Sequence, residues 1–503
     1  MKNRKQCALL LAILMLVACG LSACSAAPNA AGKLDAAMGV INADPNMAPT
    51  VAMAGDSYTE IVENAFVPAA ESNTSYFSID ANTSAYPNLR SLIRNRYTIP
   101  KDAVRVEEML NYFTYDYETP TDGSILALNA ALFDTPYNAQ TKLLTIGLAA
   151  REVEFSQVKN NLVFLIDTSG SMFGDDRLGL VQQAFMMLAQ NLNPEDRVSI
   201  VTYAGSDRVA LEGAYGYEQQ KIMAVVEDLA ASGSTAGSAG IETAYKLAQK
   251  YFIEGGNNRV ILATDGDFNV GISDTEELKD FIAKKRETGV FFSVFGVGRG
   301  NYQSDKMEAL ALNGNGTCSY IDSAAEARRA LVEQIGGSMV TVAKDVKAGV
   351  IFDPEYVESF RLIGYENKQL TQEEFENAAT DAGELGSGHT VTVVYEIKLT
   401  EKALAAEEKL ATVEIRYKAP DAAPEAESLQ LLLDITANAY HAEPTEQDAF
   451  IASVVEFALV LRESAYKQDA SLQAVIDRLE ALDLSGDVWK AEFRDLVKEY
   501  ANE

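Results

Sequence analysis

Histidine is almost missing from this chain: His389 and His441 are the two in 503 residues. A Ser-His-Asp hydrolase needs an imidazole base, and catalytic zinc draws on histidine and cysteine, so neither chemistry has its parts here. His389, in G-S-G-H-T-V-T, reads as a turn cap before a strand. Cysteine is scarce as well, four in all, and three of them precede residue 25. No disulfide framework can be built from what remains. Cys318, in G-N-G-T-C-S-Y-I-D, reads as a small buried residue at the start of a strand. Basic residues are too few: 42 Lys and Arg against 73 Asp and Glu give a formal net charge of -31. Nucleic-acid binding needs the opposite sign. The acidity keeps the surface solvated and attracts divalent ions in general. The glycine-rich run G-S-T-A-G-S-A-G lacks the lysine that reaches a phosphate in a P-loop, and G-V-G-R-G-N lacks the last glycine of a dinucleotide fingerprint. No nucleotide is expected. Beyond the N-terminal region, no apolar run approaches the length of a membrane-spanning helix.

The N-terminus has what export requires. Lys2, Arg4 and Lys5 precede an apolar run over residues 8–18, short for a bilayer span and suited to a signal-peptide core. Leu21-Ser22-Ala23-Cys24 resembles a bacterial lipobox, in which cleavage precedes a cysteine that receives lipid. Leu16-Val17-Ala18-Cys19 is the competitor, with the bulkier Val17 where a small residue is usual. Lipid on Cys24 (alternatively Cys19) would anchor the protein in the bacterial cell envelope, outside the cytoplasm. An ordinary secreted leader with incidental cysteines is the plainer alternative.

The densest signal lies at 161–172, N-L-V-F-L-I-D-T-S-G-S-M. Five apolar residues make a buried strand that delivers Asp167, Ser169 and Ser171 into one turn, with Gly170 allowing a sharp bend. One carboxylate and two hydroxyls are oxygen donors of the kind magnesium or manganese prefers. Such a turn can also merely cap the next helix. The residues resemble the metal-ion-dependent adhesion site of von Willebrand factor A (VWA) domains. That family adds oxygen donors from two later loops, and the resemblance assigns them to Thr235, in S-G-S-T-A-G, and Asp265, in R-V-I-L-A-T-D-G-D. By resemblance, Asp167, Ser169, Ser171, Thr235 and Asp265 form the metal shell, Asp265 reaching the ion directly or through water. Mg2+ or Mn2+ is the expected ion, with Ca2+ as a substitute.

The pattern around the motif predicts a doubly wound parallel-sheet α/β domain. Apolar strands at 162–166, 198–203, 260–263 and 290–295 alternate with helical stretches at 177–191, 219–229, 237–251 and 275–287. Asp196, in N-P-E-D-R-V, reads as a residue that fixes the start of a strand. Ahead of this domain, S-Y-F-S-I-D and K-D-A-V-R-V-E-E-M-L-N-Y-F resemble the N-terminal module of bacterial YfbK-type VWA proteins, predicted as a strand and two short helices. Its aromatics Tyr112, Phe113, Tyr115 and Tyr117 are read as packing residues. Strands follow at 125–133 and 142–149. After the VWA domain, runs at 346–352, 360–365, 390–399, 411–417 and 429–435 suggest a β-sandwich. There F-R-L-I-G-Y-E-N-K and D-A-G-E-L-G-S-G-H-T-V-T resemble the C-terminal module of the same family. Helical spacing at 450–461, 471–482 and 488–500 closes the chain. The expected divisions are a leader at 1–23, a flexible tether at 24–74, the N-terminal module at 75–156, the VWA domain at 157–337, the β-rich module at 338–440 and a helical segment at 441–503. If strands before and after the VWA domain pair, that domain is an insertion into a β-domain.

What the resemblance implies is binding rather than catalysis. An ion held by five protein groups and water leaves one position for an Asp or Glu carboxylate of a protein partner. The expectation is therefore an adhesion-type envelope lipoprotein, without enzyme activity, reaching the membrane only through its lipid. Two alternatives stand beside it: an envelope scaffold whose ion only stabilises a loop, and a metal-assisted hydrolase. The latter has no assigned base, and Ser169 stands where a D-x-D-x-T phosphatase needs its second carboxylate.

Overall fold

The computed structural model describes residues 55–502 except 80, 122, 154–157, 234–237, 267–274, 334–339, 404–407 and 424. The leader, Cys19, Cys24 and Thr235 lie outside the described residues.

The tether expected over 24–74 ends earlier than that. From residue 55 the chain already has partners: Ser57 N donates to Tyr302 O at 2.8 Å, and Ser304 N donates back to Ser57 O at 3.0 Å. Strand β1 (Val67–Pro68) pairs antiparallel with the later strand β12. The Ala- and Pro-rich composition concealed this, because the attachment combines backbone bonds that any sequence carries with scattered side chains, such as Asp56 and Tyr58, that form no periodic pattern. Next come β2 (Thr74–Ser78), helices α1 (Ala85–Arg94) and α2 (Val106–Asn111), and the antiparallel pair β3 (Leu126–Asp134) and β4 (Lys142–Ala150).

The VWA unit then builds its own sheet from β5 (Asn160–Asp167), β6 (Arg197–Tyr203), β7 (Asp207–Tyr215), β8 (Asn257–Thr264), β9 (Phe291–Val297) and β10 (Cys318–Ile321), in the order β10-β9-β8-β5-β6-β7. Every residue of β5 and β8 is buried. That is why these strands read as apolar runs rather than as alternations: a parallel sheet is covered on both faces. Helices α3 (Leu178–Gln190), α4 (Gln219–Glu227), α5 (Ser238–Lys250), α6 (Thr275–Arg286), α7 (Ser304–Asn313) and α8 (Ala324–Arg328) connect the strands. Two separate apolar cores, one holding Phe164 and Phe185 and the other Tyr245 and Phe292, lie on the two faces of the sheet. The sheet departs from the all-parallel expectation at one edge, where β7 runs antiparallel to β6. Its sequence, D-R-V-A-L-E-G-A-Y, is half exposed, as an edge strand tolerates.

The remaining strands are β11 (Thr341–Phe352), β12 (Val357–Ile363), β13 (Gly383–Gly386), β14 (Thr390–Leu399), β15 (Lys409–Lys418), β16 (Leu429–Thr436) and β17 (Tyr440–His441), with a short helix α9 (Gln372–Glu376) between β12 and β13. Strands from before and after the VWA unit do pair. Thr145 of β4 faces Val394 of β14, and Phe77 of β2 faces Ala348 of β11. Residues 75–156 and 338–440 are therefore not two modules. Together they form one two-sheet body, ordered β1-β12-β14-β4-β3-β17 and β13-β11-β15-β16 with β2 on β11, around a single apolar core. The VWA unit is inserted between β4 and β11. Helices α10 (Glu446–Leu461), α11 (Leu472–Glu480) and α12 (Val488–Ala501) pack with α1 and α2 around a further core. There Tyr112, Phe113 and Tyr115 are buried, and Phe113 meets Phe450 and Phe493 edge to face.

Candidate functional site at the carboxyl end of the VWA sheet

Strand β5 stops at Asp167, whose side chain is 0% exposed. The chain turns there because Asp167 Oδ1 accepts from Ser169 N at 2.8 Å while Thr168 N donates to Tyr203 O at 3.0 Å. A one-turn helix, Gly170–Met172, follows. The hydroxyl of Ser169, just before it, and that of Ser171 within it lie 2.9 Å apart. Gly170 serves close approach rather than a special bend. Its backbone is an ordinary helical start, but a Cβ there would lie 3.3 Å from Gly233 O, which already accepts from Gly170 N at 3.1 Å. Ser232 N donates to Thr168 O at 2.7 Å, so the described start of the Ser232-Gly233 loop lies against the turn.

Asp265 arrives from the end of β8 and is 1% exposed. Its neighbour Thr264 donates to Asp167 Oδ2 at 3.4 Å and accepts from Gly266 N at 3.2 Å. Burial lifts the Asp167 carboxyl to about 6, and the charge of Asp265 adds to the lift against the hydrogen bonds from Ser169. Gly266 has φ +103°, and a Cβ on it would lie 2.0 Å from Asn301 O. The β9–α7 loop therefore backs directly onto the residue after Asp265. That loop is itself held by the segment from Gly55 to Tyr58: Tyr302 N donates to Asp56 Oδ1 at 2.8 Å and Gln303 Nε2 to Gly55 O at 3.0 Å.

Four of the five residues assigned by resemblance are thus described, and they converge at one end of the sheet, where doubly wound folds bind ligands. Among the described residues no group of three or more His, Cys, Asp or Glu side chains is arranged to hold a metal ion, so an ion here depends on the serine hydroxyls. Two buried carboxylates with two adjacent hydroxyls fit a hard cation, which would supply the positive charge that burial leaves short.

Sequence reasoning passed over two residues beside the turn. Phe173 is 82% exposed, and Arg177 lies 3.6 Å from Asp265. Phe173 could have been noticed as a large apolar residue in a polar loop. Arg177 carries no sequence signal of its own. Elsewhere, Asp196 accepts from Asn160 N and Asn193 N, both at 2.8 Å, at the start of β5. His389 Nδ1 accepts from Gly386 N at 3.4 Å in the β13–β14 turn.

Comparison with known proteins identifies the family. The von Willebrand factor type A domain matches residues 161–334, and with its mixed α/β sheet this part of the chain is a VWA domain. The family described as "von Willebrand factor" matches residues 52–145, and that described as "Uncharacterized protein YfbK, C-terminal" matches residues 337–502. YfbK of Escherichia coli (strain K12) is 38% identical over 468 residues, covering 88% of this chain and 80% of that protein. The chain belongs to the YfbK family of VWA-domain proteins. It is also 25% identical over 277 residues to inter-alpha-trypsin inhibitor heavy chain H3 of Homo sapiens, spanning 50% of this chain and 30% of that one. Among solved structures, a von Willebrand factor type A protein from Catenulispora acidiphila aligns over 76% of this chain and 88% of its own, at TM-score 0.42 and 17% identity.

Proposed function

We propose that this VWA-domain protein is a lipid-anchored protein of the bacterial cell envelope that binds a protein partner through a divalent cation. The ion would be held by Asp167, Ser169, Ser171, Thr235 and Asp265. The observation that carries the reading is the convergence of the buried Asp167 and Asp265 with two hydroxyls 2.9 Å apart. Such carboxylates, with burial already holding one above its usual range, suit Mg2+ or Mn2+, with Ca2+ as the alternative, because oxygen donors select hard ions. A coordination position not filled by these groups would suit an Asp or Glu carboxylate of the partner. The exposed Phe173 beside it offers an apolar contact, the kind of aromatic anchor that interfaces favour.

Anchoring is supported by the basic and apolar leader and by Cys24, with Cys19 as the other candidate. Among the described residues, no helix is long and apolar enough to cross a membrane. A hydrolase reading gains nothing from the two histidines, since His389 and His441 belong to the β-body rather than to the VWA unit.

Calorimetric titration of Mg2+ and Mn2+ into the protein and into Asp167→Ala tests the reading. Saturable uptake confined to the wild type is expected, followed by partner capture from envelope extract that chelator abolishes. Equal uptake by both proteins would refute the metal site. Partner capture indifferent to chelator would reduce the ion to a stabiliser of the loop, the scaffold alternative.

A further inference from the structure

Arg177 stands next to Asp265 without belonging to the resemblance that identifies the site. It directly precedes α3, and its side chain runs across Gly298. A Cβ at Gly298 would lie 2.7 Å from both Cγ and Nε of Arg177, and the φ of +73° there already favours glycine. At the end of that path the guanidinium donates to the Ser171 carbonyl and, at 2.9 Å, to the Arg299 carbonyl. Nη1 comes within 3.6 Å of Asp265 Oδ2. Two carbonyls from different loops thus hold a rigid fork in place, so the position of the positive charge is fixed by the fold.

We propose that Arg177 is a built-in counter-cation of the metal site, offsetting the buried Asp265 when no divalent ion is present and thereby setting how tightly the ion is taken. This rests on the metal reading above.

Asp167 and Asp265 share one buried place, where like charges repel more strongly than in water. A fixed positive charge relieves part of that repulsion in the ion-free protein. The same charge opposes an incoming divalent ion, because Asp265 then lies between two cations. Both effects weaken ion uptake relative to a site without the arginine. The arrangement also accounts for Gly298: any side chain there would push the arginine stem off its path and carry the charge away from Asp265.

Calorimetric titration of Mn2+ alone into wild type, Arg177→Gln, Arg177→Lys and Asp167→Ala, with thermal melting of each ion-free protein, tests the inference. Arg177→Gln should bind Mn2+ roughly tenfold more tightly, equivalent to about 1.4 kcal/mol, and melt lower than wild type without ion. Arg177→Lys, which keeps the charge but not the fork on the two carbonyls, should bind and melt between the wild type and the Gln variant. Unchanged or weaker binding by the Gln variant would overturn the proposal, as would a Lys variant that behaves like Gln. If Arg177→Gln does not fold, Arg177→Met keeps the stem over Gly298 without the charge and carries the same comparison. Wild-type uptake that Asp167→Ala does not remove would refute the metal site itself. Wild-type uptake that Asp167→Ala removes, with affinity unaltered in Arg177→Gln, would refute only the role of Arg177.

Discussion

Arg90, at the centre of α1, grips Asp322 through two hydrogen bonds of 2.7 and 2.6 Å, joining a helix ahead of the inserted domain to the end of its last strand. The same guanidinium reaches Glu326 of α8 and Glu492 of α12, each at 2.8 Å. It is completely buried. Its nearby carboxylates outweigh the cost of burial and hold its pKa well above the ordinary arginine value. Three parts of the chain therefore meet on one charge.

Removing that charge should be costly. Arg90→Met takes the guanidinium from the buried Asp322, while Glu326 keeps Arg329 at 3.2 Å, and breaking a buried pair in this way typically costs about 3–5 kcal/mol. Urea denaturation should show a loss of that order. A loss below about 1 kcal/mol would mean that the acids find other partners or take up protons at little cost.

Binding of the ion should appear as stability. At a free Mg2+ concentration of about one hundred times Kd, the wild type should gain about 2.7 kcal/mol, since a ligand that binds only the folded state shifts the equilibrium by mass action. Asp167→Ala should gain nothing. Thermal melting of both proteins across a Mg2+ series measures the difference.

Glu384, in β13, supplies a pH dependence whose sign can be worked out. Both its carboxylate oxygens are buried and have no hydrogen-bond partner among the described residues. Burial, reinforced by Asp345 and Asp381, holds its pKa well above the usual 4.5. The folded protein therefore keeps this proton when the unfolded chain has lost it. The contribution of Glu384 to stability is full below pH 4.5 and declines as pH rises toward its folded pKa. Glu384→Gln should match the wild type at low pH and become progressively more stable than it above pH 4.5. Denaturation midpoints of both proteins at a series of pH values check this, and a constant difference would contradict it.

Phe173 should separate binding from folding. Because its ring is 82% exposed, Phe173→Ala should change stability by less than about 0.5 kcal/mol and leave Mn2+ uptake intact. Retention of a partner captured by the wild type should fall by at least tenfold, as expected when an interface anchor is removed. Surface-plasmon measurements in the presence of Mg2+ would show whether it does.

Much of the fold was legible because burial on both faces leaves a strong trace in sequence. The helix expected at 275–287 is Thr275–Arg286, and the strand at 390–399 is Thr390–Leu399. Asp167, Ser169, Ser171 and Asp265 were named by the family resemblance, and the structure puts them at the carboxyl ends of β5 and β8. The unity of the β-body was less visible. Its decisive pairing joins Thr145 to Val394, and no local pattern records a partner so far along the chain. The antiparallel edge strand β7 was hidden by its half-polar face. Arg177 was hidden for a different reason: its reach depends on Gly298, which another loop supplies. The attachment of residues 55–58 left no pattern because its backbone bonds are sequence-blind and its side-chain contacts, from Asp56, Ser57 and Tyr58, follow no period.

That attachment gives the molecule a mechanical order. The segment from Gly55 to Tyr58 is fastened to the β9–α7 loop, and that loop leaves no space for a side chain at Gly266, next to Asp265. Tension on the chain ahead of Gly55 therefore arrives first at the rim of the carboxylate cluster, before it reaches β1 and the sandwich behind it. Whatever grips the cluster from outside and whatever holds the N-terminus would pull on opposite sides of the same short loop.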